Sequence, residues 1–596
     1  MNLLILTLAV CYCGLVYTKP LTHLEDEITG LENSFVQLGD EPVDMRARRS
    51  VRRPTILSEI MGPLHRRNVR AINEYQRSDA VYVRMRSLLR LLRMLIGASP
   101  SVEIYHYVNW DKTIIIDNLF YTLPKTIWEV RRVIRAAGLL GMRVRATGAG
   151  HSRSPLYVDE GNIMMDVRAL ERHDGPRMEL HQPTPIRNYT TLTAMTGVYE
   201  YDLNEFMVSN HVTMLSQPLN VNETFGGMVA ASTHGSTWSA PTYSGYVREM
   251  RLMDSSGRLR RFTIEDHPNI MKAAICNLGM FGIMYDITIE VYPIVIAKVT
   301  NQFANLGDLI YDNTKLRDTV TSNFLTEISW FPFNSVTDQE ATEYEQDGRI
   351  PAAWNAKRDL VWLRTINLVN ESELGDNIIQ PAIFLPTNGS LSGGNVVGLL
   401  RGRAAVNIAR KLPSTSYHYL VDGFPVILPP RFGTETSAAF MLSIDNQFIR
   451  PATGLQFIIE EAETQIKTNG STPLNALLPR FFQNHECDLC PGNHDITIPD
   501  DSGRTLVIDF LAPPAQYGFY PTARKFVERF ENEKVRPHWA KRHDNIPGIV
   551  DIIKNVYGNN LVHFQDMKKL ARVDHSDMFM NSYLLAIFGR SDYSSY

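Results

Sequence analysis

The stretch "RVRATGAGHSRSPL", residues 143–156, sets a histidine directly after a glycine-rich turn, in the order Gly148, Ala149, Gly150, His151, Ser152. Successive backbone N–H groups of such a turn can converge on an anion, and a neutral imidazole nitrogen beside them is a nucleophile. A tight turn carrying a surface histidine is the plainer reading of the same residues. A second cluster, "NVNETFGGMVAASTHGS", contains Gly226, Gly227, Thr233, His234 and Gly235. A third, "NLGMFGIMYDITIEVYP", contains Gly279, Gly282 and Ile283. Each alone is a weak turn signal; their order and spacing make a pattern.

The elements that must position the first turn are legible. Thr126 and Glu129 form a capping box ahead of Ile127, Val130, Ile134 and Ala137, which share one helical face. Gly138 and Gly141 end that helix, and a short strand over Arg143–Thr147 follows. Arg153 stands where the third glycine of a dinucleotide fingerprint would fall, and no long helix follows, so a Rossmann site is excluded. "YVREMRLMDSSGRLRRFTI" reads as a hairpin turning at residues 254–257, and "MYDITIEVYP" as a strand. Beyond about residue 295, helices ("TARKFVERFENEK") alternate with strands ("TLVIDFL"), which predicts an α+β second domain.

At 596 residues, 44% apolar and 21% charged with net charge −4, the chain predicts two large globular domains and gives no electrostatic case for nucleic acid. Residues 1–19 hold a short apolar run, Leu3 to Tyr17, and predict a secretory signal peptide, with an uncleaved anchor as the alternative. That places the remainder outside the cell or in the lumen of the secretory pathway. Residues 20–101 read as an extension dispensable for the fold. It contains a basic run, "RARRSVRR", that is either a convertase site or a solvated linker. Its helix over 83–97, "VRMRSLLRLLRMLIG", is basic and amphipathic, suited to a membrane surface or to packing on its own protein. Five N-x-S/T sequons, at Asn188, Asn222, Asn370, Asn388 and Asn469, agree with secretion. Cys487 and Cys490 predict a disulfide, leaving Cys276 single and buried. His485 and His494 flank the pair, but no second ligand pair is evident, and no metal site is assigned.

The ordered clusters resemble those of the flavoproteins of the vanillyl-alcohol-oxidase type, and within them the aldonolactone oxidases. That group carries G-G-G-H-S, then G-G-x-x-x-x-x-T-H, then L-G-x-x-G-[VI]. The segment His538-Trp539-Ala540-Lys541 resembles its P-H-W-x-K motif, and "DMFMNSYL", residues 577–584, its closing G-M-F-L-N-S-Y-L. The likeness spans about residues 109–584 and is faint between about 300 and 500. It implies a two-part FAD-binding domain over 102–295 and an α+β substrate domain over 296–596. It also implies FAD joined covalently to His151, with the 148–152 turn holding the pyrophosphate. Gly226, Gly227 and Gly235 would let the backbone approach the cofactor, with Thr233, His234, Gly282 and Ile283 beside it.

The implied chemistry is oxidation of an alcohol carbon of a sugar lactone or polyol, with O2 as acceptor and hydrogen peroxide as product. Lys541 would stabilise the reduced flavin, and His538 would orient substrate or pass a proton. The family's Glu-x-Arg aligns with Leu478-Pro479-Arg480, which keeps Arg480, lacks the Glu, and inserts a proline expected to break the strand. That departure leaves open another alcohol substrate, or a matrix protein without turnover. Oligomeric state is not legible.

Overall fold

The computed structural model describes residues 82–381, 398–424, 435–492, 498, 500–513 and 515–590. The signal-peptide segment, the basic run, Asn388 and His494 lie outside the described residues. No helix among the described residues is long and apolar enough to cross a membrane.

The first domain is built on two sheets. In one, the strands run Val102–Val108, Ile115–Thr122, Ile163–Asp166, Val144–Thr147, with the first pair antiparallel and the others parallel. In the other, Met178–His181, Thr191–Met195, Ile283–Glu290, Val247–Met253 and Leu259–Thr263 are antiparallel throughout. The helix Ile127–Leu139 starts at the capping box, where Thr126 accepts from Glu129 N–H, and buries Ile127, Val130, Val133 and Ile134. The parallel crossover from this helix feeds Val144–Thr147, whose C-terminal end delivers the glycine turn.

The second domain centres on a nine-stranded sheet. Its site-bearing strands are Ala476–Gln483, Asp501–Ala512, Thr436–Asp445 and the short Arg536–Pro537, in that spatial order. The long helix Ile449–Asn469 covers it, burying Leu455, Ile458, Ile459, Ala462 and Ile466. Pro479 does not break its strand. It lies opposite Ile508, and the ladder to Leu325–Trp330 is confined to Trp330↔Leu477, so that flank demands no N–H at 479.

Two boundaries read from the sequence shift. The helix at 82–96 belongs to the first domain rather than to a dispensable extension, because Met85, Leu92 and Ile96 are buried in the same core as Val102, Phe120 and Val130. Arg93 Nε also donates to Val102 O at 3.0 Å. The apolar face that would have met a membrane is therefore used inside the protein. The C-terminal segment also returns to the first domain: Val144 N–H donates to Met578 O (2.8 Å), Ser255 N–H to Val573 O (2.8 Å), and Phe281 packs edge-on against Phe564. Cys487 and Cys490 form the expected disulfide, and Cys276 is buried with its thiol donating to Leu489 O. The three sulfurs lie within 4.8 Å of one another.

Candidate active site

The 148–152 turn is shaped by its neighbours before any ligand is considered. A Cβ on Gly148 would meet Thr224 Oγ1 at 2.0 Å, and Gly150 adopts φ +72° with the Tyr107 hydroxyl 2.6 Å from where its Cβ would lie. Both positions therefore require glycine. The turn is tied down by Asn109 Nδ2 donating to Ser152 O (3.0 Å), the Tyr157 hydroxyl donating to the same oxygen (2.8 Å), and Trp110 N–H donating to Gly150 O (2.9 Å). His151 stacks on Trp110, ring centroids 5.0 Å apart at 25°. Asn220 Nδ2 lies 3.1 Å from its Nδ1, and Asn220 is itself held by Asn222 N–H at 3.2 Å.

Facing this turn across the cavity is the His538-Trp539-Ala540-Lys541 segment. Pairing of Arg536–Pro537 with Thr436–Asp445 leads directly into it, and His538 N–H donates to Ala439 O (2.9 Å) and Arg542 N–H to Ser437 O (2.8 Å). Trp539 is fully buried, its indole N–H donating to Leu489 O at 2.6 Å. From the first domain, Arg153 N–H donates to Ala540 O at 2.9 Å, and the Ser154 hydroxyl to Trp539 O. The lysine is thus held between the two domains.

The electrostatics follow from burial. Lys541 sits at the cavity wall, where desolvation lowers its pKa and Asp509, 3.7 Å from Nζ, pulls it back up. His538 and His234 have ring centroids 5.3 Å apart. Burial drives the His538 pKa well below its ordinary range, with His234 and Lys541 adding to the effect, and burial pushes His234 down to about 4. Both rings are neutral near pH 7. Ala540 N–H donates to His538 Nδ1 (3.1 Å), which leaves that ring's proton on Nε2. His234 Nδ1 lies 3.1 Å from Gly235 O and donates to it, so its Nε2 is a bare acceptor.

One cavity is lined by residues 148–152, Gly226, Gly227, Thr233, His234, Gly282, Arg480, His538 and Lys541. Two expected cofactor contacts fall outside its lining. Gly235 is glycine because a Cβ there would meet Gln217 O at 2.5 Å and Ser216 Oγ at 2.6 Å. Ile283 is 1% exposed in the core of its strand. Gly226 lines the cavity, but its lack of a side chain serves Thr196, whose Cβ would lie 2.5 Å away.

Sequence reasoning missed Trp110, Asn220, Glu223 and Asp509, all of which line the same cavity. Asp509 had a signal, an acidic residue inside the otherwise apolar "TLVIDFL". Burial raises the Glu223 pKa, offset by Lys541 and Arg153. Arg145 was missed too. Buried, it donates from Nε to Leu156 O (2.8 Å), from Nη1 to Phe579 O (2.7 Å) and from Nη2 to Leu278 O (2.7 Å). From the strand Val144–Thr147 it ties the segment after the first glycine turn to the third glycine cluster and the closing motif.

An elongated dinucleotide fits this arrangement: a turn with no room for Cβ atoms at one part of the cavity, and along it a buried donor, Arg480 Nη1, without a protein partner among the described residues. Residues 119–263 match the family model described as an FAD binding domain. Over those residues the chain carries an FAD-binding domain. The chain is 26% identical over 233 residues to the D-arabinono-1,4-lactone oxidase of Candida albicans, covering 38% of this chain and 41% of that one. It is 25% identical over 282 residues to the D-arabinono-1,4-lactone oxidase of Saccharomyces cerevisiae, covering 45% and 51%. With the L-gulonolactone oxidase of Scyliorhinus torazame it shares 23% over 229 residues, covering 38% and 49%. The matched stretches thus span about half the length of these relatives or less. In fold, the chain is similar to the cholesterol oxidase of B. sterolicum, with TM-score 0.64 and 16% identity, covering 82% of this chain and 97% of that one.

Proposed function

We propose that this protein is an FAD-linked oxidase that removes hydride from an alcohol carbon of a sugar lactone or polyol. The observation that carries the reading is the single cavity joining the 148–152 turn and His151 to Lys541, His538, His234 and Arg480. When bound, FAD supplies the hydride acceptor and passes two electrons to dioxygen, giving hydrogen peroxide. Residues 148–152 would hold the pyrophosphate, and His151 the flavin through a covalent bond. Lys541, on the cavity wall, would offer positive charge to the cofactor in its reduced form. The hydroxyl proton has an acceptor in the bare Nε2 of His234, and the Nε2–H of His538 can hold the substrate oxygen. The chain's similarity to D-arabinono-1,4-lactone and L-gulonolactone oxidases supports a lactone as substrate.

The test of the cofactor assignment is acid precipitation. Wild-type protein is expected to carry its yellow colour into the pellet, whereas His151→Ala should release whatever flavin it binds. Flavin still attached after acid in the alanine variant would remove His151 from this role.

We also propose that the protein passes through the secretory pathway. Asn188, Asn222, Asn370 and Asn469 are all exposed, and the disulfide at Cys487–Cys490 suits an oxidising compartment. Secreted protein should gain mobility on a gel after enzymatic removal of N-glycans. Recovery of the chain only from the cytosol, with unchanged mobility, would contradict this.

A further inference from the structure

We infer that Cys276, Cys487, Cys490 and His485 form a zinc site in the reduced chain, at the joint between the two domains. The three sulfurs lie within 4.8 Å of one another, and all three cysteines are buried. Around a tetrahedral zinc with bonds of about 2.3 Å, sulfurs stand about 3.8 Å apart. Once the Cys487–Cys490 bond is open, shifts of about 2 Å or less therefore bring the three to that spacing. His485 Nε2 lies 3.2 Å from Cys490 Sγ. The sulfur–nitrogen separation in such a site is about 3.5 Å. The imidazole also has a fixed seat, because it packs on Gly245, where a Cβ would come 3.2 Å from its Cγ.

Along the chain, Cys487-x-x-Cys490 is one ligand pair in search of a second. The fold supplies it. Cys276 follows the helix Pro268–Ala274 of the first domain, and residues 485–490 follow the strand Ala476–Gln483 of the second. Three thiolates and an imidazole are a zinc donor set, and with four protein ligands the ion would be structural, with no position left for substrate. A thiolate there has support: Ser232 Oγ donates to Cys490 Sγ at 3.5 Å and is paired with the Thr242 hydroxyl at 2.6 Å. The cluster also touches the active-site segment. Leu489 O, between the two cysteines, accepts from Cys276 Sγ (3.3 Å) and from the Trp539 indole N–H (2.6 Å).

The disulfide and the zinc site are alternative states of the same residues. With Cys487 and Cys490 joined, only Cys276 and His485 remain as ligands, two too few. Conversion takes two electrons from a dithiol. The Cys487–Cys490 bond breaks, the dithiol closes to its own disulfide, and its two protons pass to the freed sulfurs. Zn2+ then displaces the three S–H protons.

The experiment reduces the full chain with a dithiol, removes the dithiol by anaerobic gel filtration, and titrates with Co2+ as the spectroscopic probe, then with Zn2+. One Co2+ per chain is expected, with the ligand-field absorbance of a tetrahedral thiolate site to the red of the flavin bands, and Zn2+ should displace it. Unreduced protein should show no such absorbance. Cys276→Ala and His485→Gln should each weaken Co2+ binding at least about 100-fold, the upper end of what losing a mere supporting hydrogen bond costs a metal site. If one variant does not fold, the other decides. A reduced chain with unchanged circular dichroism, with Cys276, Cys487 and Cys490 shown free by alkylation, and with no such absorbance would overturn the site. So would unfolding of the wild-type chain on reduction in the presence of Zn2+, or Co2+ binding that the folded variants retain within about twofold.

Discussion

Lys541→Met is expected to slow reduction of the bound flavin by substrate about 100- to 1,000-fold while leaving fold and flavin content intact. Methionine keeps the length and apolar stem of lysine, and the backbone at 541 is held independently of the side chain. Lys541 N–H donates to His538 O at 3.1 Å, and His543 Nδ1 lies 2.8 Å from Lys541 O, with its Nε2 2.6 Å from the Tyr583 hydroxyl. What the substitution removes is the positive charge between the two domains. Desolvation lowers the Lys541 pKa, so the charge of the wild-type protein should be lost at a lower pH than that of an exposed lysine. The wild-type reduction rate should therefore fall on the alkaline side, and that limb should be missing in Lys541→Met. Anaerobic stopped-flow reduction across a pH series measures both effects. A rate within about twofold of wild type, with the same alkaline limb, would remove Lys541 from the chemistry.

Arg145→Ala should unfold the first domain rather than weaken it locally. The arginine is 4% exposed, and its three donated hydrogen bonds join Leu156, Leu278 and Phe579. Truncation leaves three buried carbonyl groups without their donor, an expected loss of about 3–5 kcal/mol, comparable to the whole stability of many domains. Burial lowers the Arg145 pKa to about 10, which leaves it charged near neutral pH. Arg145→Lys should not rescue, because one ammonium cannot reproduce a planar fork aimed at three separate oxygens. Thermal melting and the soluble yield of flavin-loaded protein test this. A melting temperature within about 2 °C of wild type would contradict it.

Local chemistry made much of this legible from residues alone. The capping box at Thr126 and Glu129, the hairpin turning at Asp254, and the strand Ile283–Glu290 are each specified by a few adjacent side chains. The glycine clusters and the segment at 538–541 were legible as ordered motifs, and the fold brings them to one cavity. What escaped depends on contacts between distant segments. Asp509 faces the cavity because of its register against Leu478, and no spacing along the chain encodes that pairing. Arg145 looked like an ordinary strand residue until three remote carbonyls surrounded it. Gly235 looked like a cofactor glycine, yet its neighbour is the backbone at Gln217. The helix at 82–96 carried an apolar face whose partner, the core around Phe120 and Val130, sequence periodicity cannot name.

The most direct test of the central claim is to mix purified wild-type protein anaerobically with L-gulono-1,4-lactone or D-arabinono-1,4-lactone and follow the visible absorbance of its flavin. The account predicts bleaching by the lactone and recovery of the yellow colour, with stoichiometric hydrogen peroxide, when oxygen is admitted. A protein-bound flavin that stays oxidised with both lactones and with simple polyols would contradict it.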